Sequence, residues 1–434
     1  MRLMTRAAQL AAMARLAAMI SGCTPMLLAA VPTFHKDVLP ILQRNCQECH
    51  RAGEAAPMAL TTYDQVRPWA KAIKASVSSK KMPPWFAEEG VGKFHNERKL
   101  TPVELATLTA WADGGAPAGN PKEAPAPAKF VTGWSIGQPD LVIEMPQAVE
   151  VPAAGTVEYT YMIIPTGFKE DRWIQMAEVR PGDRAVTHHV IAFLRPAGSK
   201  WFAGRELGVP FIPKKGGGEG GGATELLVGY APGLPPAVLP EGQAKLVKAG
   251  TDIVLQLHYT SNGKATTDRS RLGLIFSKAE PKQRVMTLQA TNARFVIPPQ
   301  EANHRVDSQM TLYQETELVS LMPHMHLRGK DFEYRAIYPT GETETLLRVP
   351  KYDFNWQLYY YVAGNKKLPK GTRIECTAHF DNSANNPANP DPKAEVRWGD
   401  QSWEEMMIGW FDVAFPTKLD PMQIMRPEKK APAE

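Results

Sequence analysis

Cys46, Cys49 and His50 stand in the run Cys46-Gln47-Glu48-Cys49-His50, two thiols with an imidazole directly after the second. In an exported chain this spacing is the attachment signal for a c-type haem, because both thiols add to the vinyl groups and the adjacent histidine is then placed on the iron. A redox dithiol or half a zinc site would use the same thiols. No second Cys/His pair completes a zinc set, however, and no βαβ pattern surrounds the motif. The expectation is covalent haem c on Cys46 and Cys49 with His50 as proximal ligand. Met82, in Lys81-Met82-Pro83-Pro84-Trp85, offers a thioether on a stiffened segment for the opposite face of the iron. Met58 is the rival, and core filler is the alternative role for either.

Five of the ten histidines fall in three short stretches: His188-His189, then Gln256-Leu257-His258-Tyr259, then His324-Met325-His326. A lone histidine in a strand is more often an ordinary half-buried residue than a ligand. The pair at 324 and 326 says more, since alternate strand residues share a face and reach one ion. Adjacent His188 and His189 converge only at a bulge or a strand end. His35, His95 and His304 read as solvated, and His379 as structural.

The elements that must position these residues change character along the chain. Residues 31–118 read as helical: Val38, Leu39, Ile41 and Leu42 form an apolar stripe before the cysteines. A second helix is signed by Thr101 as N-cap, Pro102, Glu104 closing a capping box, and Gly114-Gly115 at its end. Residues 119–139 are a Pro/Ala-rich linker by composition. Beyond it come short strand-like runs broken by Pro, Gly, Asn and Asp, a β-sandwich signature. The predicted fold class is multidomain: a small all-α cytochrome c domain followed by two mainly antiparallel β-sandwich, jelly-roll-like domains at 140–283 and 284–420, with a tail at 421–434. Lys214–Gly222 reads as a surface loop.

Four motifs in this β-rich part, in order, resemble the type II copper, ascorbate-dependent monooxygenases, the family of dopamine β-hydroxylase and peptidylglycine α-hydroxylating monooxygenase. His188-His189 resembles that family's His-His pair, Gln256-Leu257-His258-Tyr259 its Gln-x-His-Tyr strand, His324-Met325-His326 its His-x-His, and Glu405-Met406-Met407 its Glu-Met segment. The resemblance implies two copper ions per chain: one, storing an electron, on His188, His189 and His258, and a catalytic one on His324, His326 and Met406, with Met407 the rival thioether. Gln256 would be a supporting residue near the first. Imidazole suits both copper oxidation states and a thioether favours Cu(I), so the ligand types agree. The resemblance also implies O2 as co-substrate and hydroxylation of a C–H bond in a small molecule of unassigned identity. The chain departs from the family at Met407, where relatives have a cysteine, which leaves Cys376 without a disulfide partner. Met322 and Trp410 stand where the peptide hydroxylase has an arginine and a tyrosine that serve its substrate, which argues against peptide amidation.

Composition is that of globular domains: 43% hydrophobic, 22% charged, net charge +5 over 434 residues. Lys and Arg are dispersed, which gives no case for nucleic acid. Residues 1–30, with Arg2, Arg6 and Arg15 before an acid-free Ala/Leu/Met stretch, read as a signal peptide, and Cys23 is a candidate lipid-attachment site. Nothing later is long and apolar enough to span a bilayer. The predicted location is periplasmic or extracellular. The function predicted is a copper-dependent monooxygenase fed by its own haem, with an external donor cytochrome or other reductant supplying that haem. A non-catalytic haem/copper electron-transfer or copper-handling protein is the alternative, and a sandwich that keeps its histidines for packing is a third class.

Overall fold

The computed structural model describes residues 31–213 and 225–427. The expected signal peptide with Cys23, the surface loop expected at 214–222 and residues 428–434 of the expected tail lie outside the described residues.

Helices are few and short. Leu39–Asn45 leads into the Cys46 motif, Tyr63–Val66 and Ala70–Ser78 follow, and Pro102–Asp113 is the longest. The last begins as its sequence requires: Thr101 accepts from the Glu104 N–H at 3.2 Å, and the Glu104 carboxylate accepts from the Thr101 N–H at 2.8 Å. Phe34, Val38, Leu42, Val66, Leu108 and Trp111 form a small buried core among these helices.

The expected fold class is corrected here. The chain is mostly β, 36% strand against 12% helix, and no separate all-α cytochrome domain is formed ahead of the strands. The physical reason lies in residues 83–98, which fall inside the stretch expected to be helical. Pro83, Pro84, Gly90 and Gly92 keep this stretch out of helix, and it is laid along the β-sheet instead. Glu88 N–H donates to the Arg348 carbonyl at 2.7 Å, His95 N–H to the Tyr361 carbonyl at 3.0 Å, and Ala363 N–H to the Lys93 carbonyl at 2.8 Å. Trp85 and Phe94 pack on Tyr360, at ring distances of 4.9 and 5.5 Å.

The β-rich part contains two stacks of facing sheets. In the first, a four-stranded sheet ordered Thr160–Pro165, Asp252–Tyr259, Thr187–Arg195, Leu226–Tyr230 shares a core with strands Leu141–Glu144, Arg271–Phe276 and Arg172–Arg180. In the second, His304–Thr311, Arg373–Phe380, Gly329–Ile337 and Thr343–Val349 cover strands Gln283–Thr291, Ile408–Pro416, Thr316–His324 and Tyr360–Leu368. Arg373–Phe380 alternates half-buried and buried along its whole length, the pattern of a sheet with one covered face. The two stacks are joined through one nine-stranded sheet, because Gln243–Val247 pairs parallel with Gln283–Thr291 over Gln243 and Ala244. No helix among the described residues is long and apolar enough to cross a membrane.

Candidate functional site

Thr187–Arg195 and Asp252–Tyr259 are antiparallel neighbours in the first stack. Their register runs Thr187 opposite Tyr259, then His189 opposite His258, so His188 is the extra residue of a bulge. That bulge turns two consecutive imidazoles toward one point. Ring centroids of His188, His189 and His258 lie 4.8 to 5.5 Å apart, and one nitrogen from each falls within 4.8 Å of the others. Nε2 of His188, Nε2 of His189 and Nδ1 of His258 are buried with no hydrogen-bond partner. Burial pushes His188 down to about 4 and holds His189 and His258 well below the usual histidine range, the neighbouring imidazoles adding to the effect. All three are neutral at pH 7.

His324 ends the strand Thr316–His324, and His326 follows it in the turn. Their rings stand perpendicular at 5.2 Å. His324 Nδ1 lies 2.9 Å from the Gln357 side-chain oxygen and His326 Nδ1 3.1 Å from the Glu404 carbonyl. Each ring is therefore fixed through Nδ1, and the buried Nε2 of His326 is left without a partner. Burial pushes His326 down to about 3. Glu405 holds the turn: its carboxylate accepts from the His326 N–H at 2.8 Å and the Arg328 N–H at 2.6 Å. Burial raises that carboxyl to about 8.

Met406 is buried just before the strand Ile408–Pro416. The ladder between the two strands stops at His324 opposite Ile408, so His326 and Met406 both lie just beyond its end. Met406 packs in an apolar cluster with Leu226, Met322, Tyr359, Ile408 and Trp410, while Met407 belongs to the main core of the second stack. Met322 and Trp410 are direct cross-strand partners within that cluster. Gln256 donates its amide to the Tyr161 hydroxyl. His379 pairs with Asp331 at 2.7 Å on the outer sheet, and Cys376 is a buried free thiol.

Two aromatic rings join the two histidine groups. Phe354 stacks on His188 at 4.9 Å and reaches His326 at 6.0 Å, and Tyr159 lies 4.3 Å from His258 and 6.2 Å from His326. Tyr159, Phe354, Gln357 and the role of Glu405 escape the sequence. Which ring faces which histidine depends on loop geometry. A cavity of about 20 Å³ is lined by His189 and His324, with Leu226, Leu234, Met322 and Tyr359 among its apolar residues.

Cys46 to His50 forms a single turn after the helix Leu39–Asn45, with the Cys49 and His50 N–H groups donating to the Cys46 carbonyl. Both cysteines are half-buried free thiols. Burial pushes Cys46 up to about 12 and raises Cys49. His50 Nδ1 lies 3.3 Å from the Met58 carbonyl, which leaves Nε2 for another partner. A cavity of about 550 Å³ opens beside the motif, and Cys46, Cys49, His50 and Met82 all line it. Met58 instead packs against the helical core.

No protein-family model matches the chain, and no curated protein matches it. Solved structures similar to it include the infectious bursal disease virus Gx strain (9% identity over 66% of this chain and 74% of that chain, TM-score 0.18). The STIV MCP is similar at 8% identity over 64% of this chain and 96% of that chain, TM-score 0.25, and PNGF-II at 10% over 63% and 60%, TM-score 0.21. At such TM-scores these likenesses carry no argument.

Proposed function

We propose that this chain is an exported, copper-dependent monooxygenase that hydroxylates a C–H bond of a small molecule with O2, holding two copper ions and one covalent haem c. The observation that carries this reading is the convergence of His188, His189 and His258 beside His324 and His326, with unpartnered buried ring nitrogens in both groups. A buried polar atom without a partner costs on the order of 1–3 kcal/mol, a cost that an ion removes. The nitrogens are neutral, as metal ligation needs, and imidazole with a thioether is a copper donor set. The motif resemblance to the type II copper monooxygenases supports the same assignment.

The chain's own residues then have definite tasks. His188, His189 and His258 would hold one copper, and His324, His326 and Met406 the other. Copper supplies one-electron steps and the capacity to engage oxygen. Gln357 and the Glu404 carbonyl fix the two rings so that Nε2 points inward. Phe354 and Tyr159 lie between the groups and would give that space an aromatic lining. Met322 and Trp410 give the second site an apolar flank with no partner for a substrate carboxylate. Cys46 and Cys49 would carry the haem, and His50 and Met82 would hold its iron, which would supply one-electron transfer. A cavity of about 550 Å³ lined by all four fits such a group. An external cytochrome or another reductant would recharge it from outside the cell membrane.

Metal analysis with oxygen uptake tests the reading. Two coppers per chain and oxygen consumption that disappears in His324→Ala are the expected result, and fewer than one copper per chain removes the proposal. One observation favours the alternative of a non-catalytic electron-transfer or copper-handling protein: the 20 Å³ space between the histidine groups admits about one water-sized molecule. Copper and haem bound without oxygen uptake beyond slow autoxidation is the result that reading expects.

A further inference from the structure

The haem cavity and the three-histidine cluster were found from separate motifs, yet they meet at one side chain. The cavity lined by Cys49, His50 and Met82 is lined also by Thr187, His188 and Trp356. His188 is thus at once a member of the cluster and part of the cavity lining. It is also the half-buried member, while His189 and His258 are 2% and 7% exposed. His324 and His326 do not line this cavity.

We propose that His188 is the contact through which the haem reduces the metal held by His188, His189 and His258. The proposal rests on the functional reading above for the identity of both groups. The step is a one-electron exchange: ferrous haem becomes ferric as Cu(II) becomes Cu(I), with no bond broken and no proton moved. Three features hold the contact in place. The bulge fixes the His188 backbone, and Phe354 stacks flat on its ring at 18°. The wall is tied to the haem segment by the Arg184–Glu54 ion pair, and Arg98 is paired with Glu48 at 3.5 Å across the same opening. Because only His188 of the cluster faces the cavity, the electron enters at the three-histidine site and the His324/His326 site is charged after it. A bulky external reductant meets the haem first, since the rest of the cluster is buried.

Pulse radiolysis of the oxidised, copper-loaded full chain, delivering less than one electron per molecule, tests this directly. The haem bands are expected to show reduction followed by first-order reoxidation, matched by loss of the Cu(II) signal. The rate constant should hold over about a tenfold range of protein concentration, as an intramolecular event requires. His258→Ala, which breaks the cluster but leaves the cavity wall, should abolish the reoxidation, and His379→Ala should leave it unchanged. Ferric haem should also speed the spin relaxation of Cu(II) in the chain, an effect absent from Cys46→Ser/Cys49→Ser. Reduced haem that persists beside bound Cu(II), or that decays in proportion to protein concentration, overturns the inference and leaves the copper reading standing. Absence of copper from the cluster by metal analysis overturns both.

Discussion

Glu405 shows how much one buried carboxylate can organise. Both of its oxygens are taken by backbone N–H groups of the His-x-His turn, and burial rather than any cation sets its acidity. Glu405→Gln keeps the shape but turns an amide N–H toward a backbone N–H. The expected cost is about 1–3 kcal/mol of stability and about a 10- to 100-fold loss in copper affinity at the second site, the usual effect of removing a group that orients a ligand. Thermal unfolding and copper titration, compared with His379→Ala, check both. The Glu-Met motif made Glu405 visible in the sequence, but its partners lie 77 and 79 residues away, so its role was not. The histidines themselves were legible because residue type and alternate spacing carry ligand chemistry. Their neutral state has a further consequence in the metal-free protein. His188 and His326 sit near 4 and 3 when folded, against an ordinary value of about 6.5 in the unfolded chain. As pH falls below about 6.5 the unfolded chain takes up protons that the folded one refuses, so stability is lost progressively toward pH 4. Denaturant midpoints with a chelator should fall between pH 7 and pH 5, and bound copper should reduce that fall. Equal midpoints at both pH values would contradict the buried, neutral assignment.

Among the elements, the strand Thr187–Arg195 depends on a single inserted residue and the stretch 83–98 on its aromatic anchors. The capping box at Thr101 follows a local rule and reads correctly from sequence, whereas the alternating strand Arg373–Phe380 was not singled out there. A bulge was required for His188 and His189 to converge, and the register has one there. Residues 83–98 fall inside the stretch read as helical, but the partner of Trp85 and Phe94, Tyr360, comes from a distant strand that local sequence cannot indicate. Met82 directly precedes that stretch, so its anchors also bear on the position of the thioether. Trp85→Ala removes a half-buried ring, costing up to about 3 kcal/mol, the low end for a large aromatic. It should also loosen Met82 at the cavity and weaken the methionine-to-iron absorption band of the ferric haem. The same band unchanged, with stability lowered, would mean that Met82 is held by Pro83 and Pro84 alone.

At the scale of the whole molecule, the two histidine groups belong to different sheet stacks, and their separation is set at the seam between those stacks. The shared sheet crosses that seam through a parallel pairing of only two residues, too little to fix it alone. Side chains complete it. Lys245 donates to the Leu226 carbonyl at 2.7 Å and to Thr287 at 2.9 Å, with Asp412 at 3.5 Å. Asp412 in turn accepts from Thr287, and from Ser320 at 2.8 Å. Arg284 and Glu225 form a second ion pair across the same boundary at 2.7 Å. A buried pair of this kind adds little over an apolar substitute, but removing one partner strands the other charge, at about 3–5 kcal/mol. Asp412→Ala should therefore cost that much, whereas Lys245→Met/Asp412→Leu should recover most of it. If the seam couples the stacks, calorimetry of the native chain gives one transition for the β-rich part, and Asp412→Ala splits it in two. It should also lower the copper affinity of the His324/His326 site, although residue 412 ligates nothing. Two transitions already present in the native chain, with both affinities indifferent to the substitution, would show that the stacks hold their metals independently.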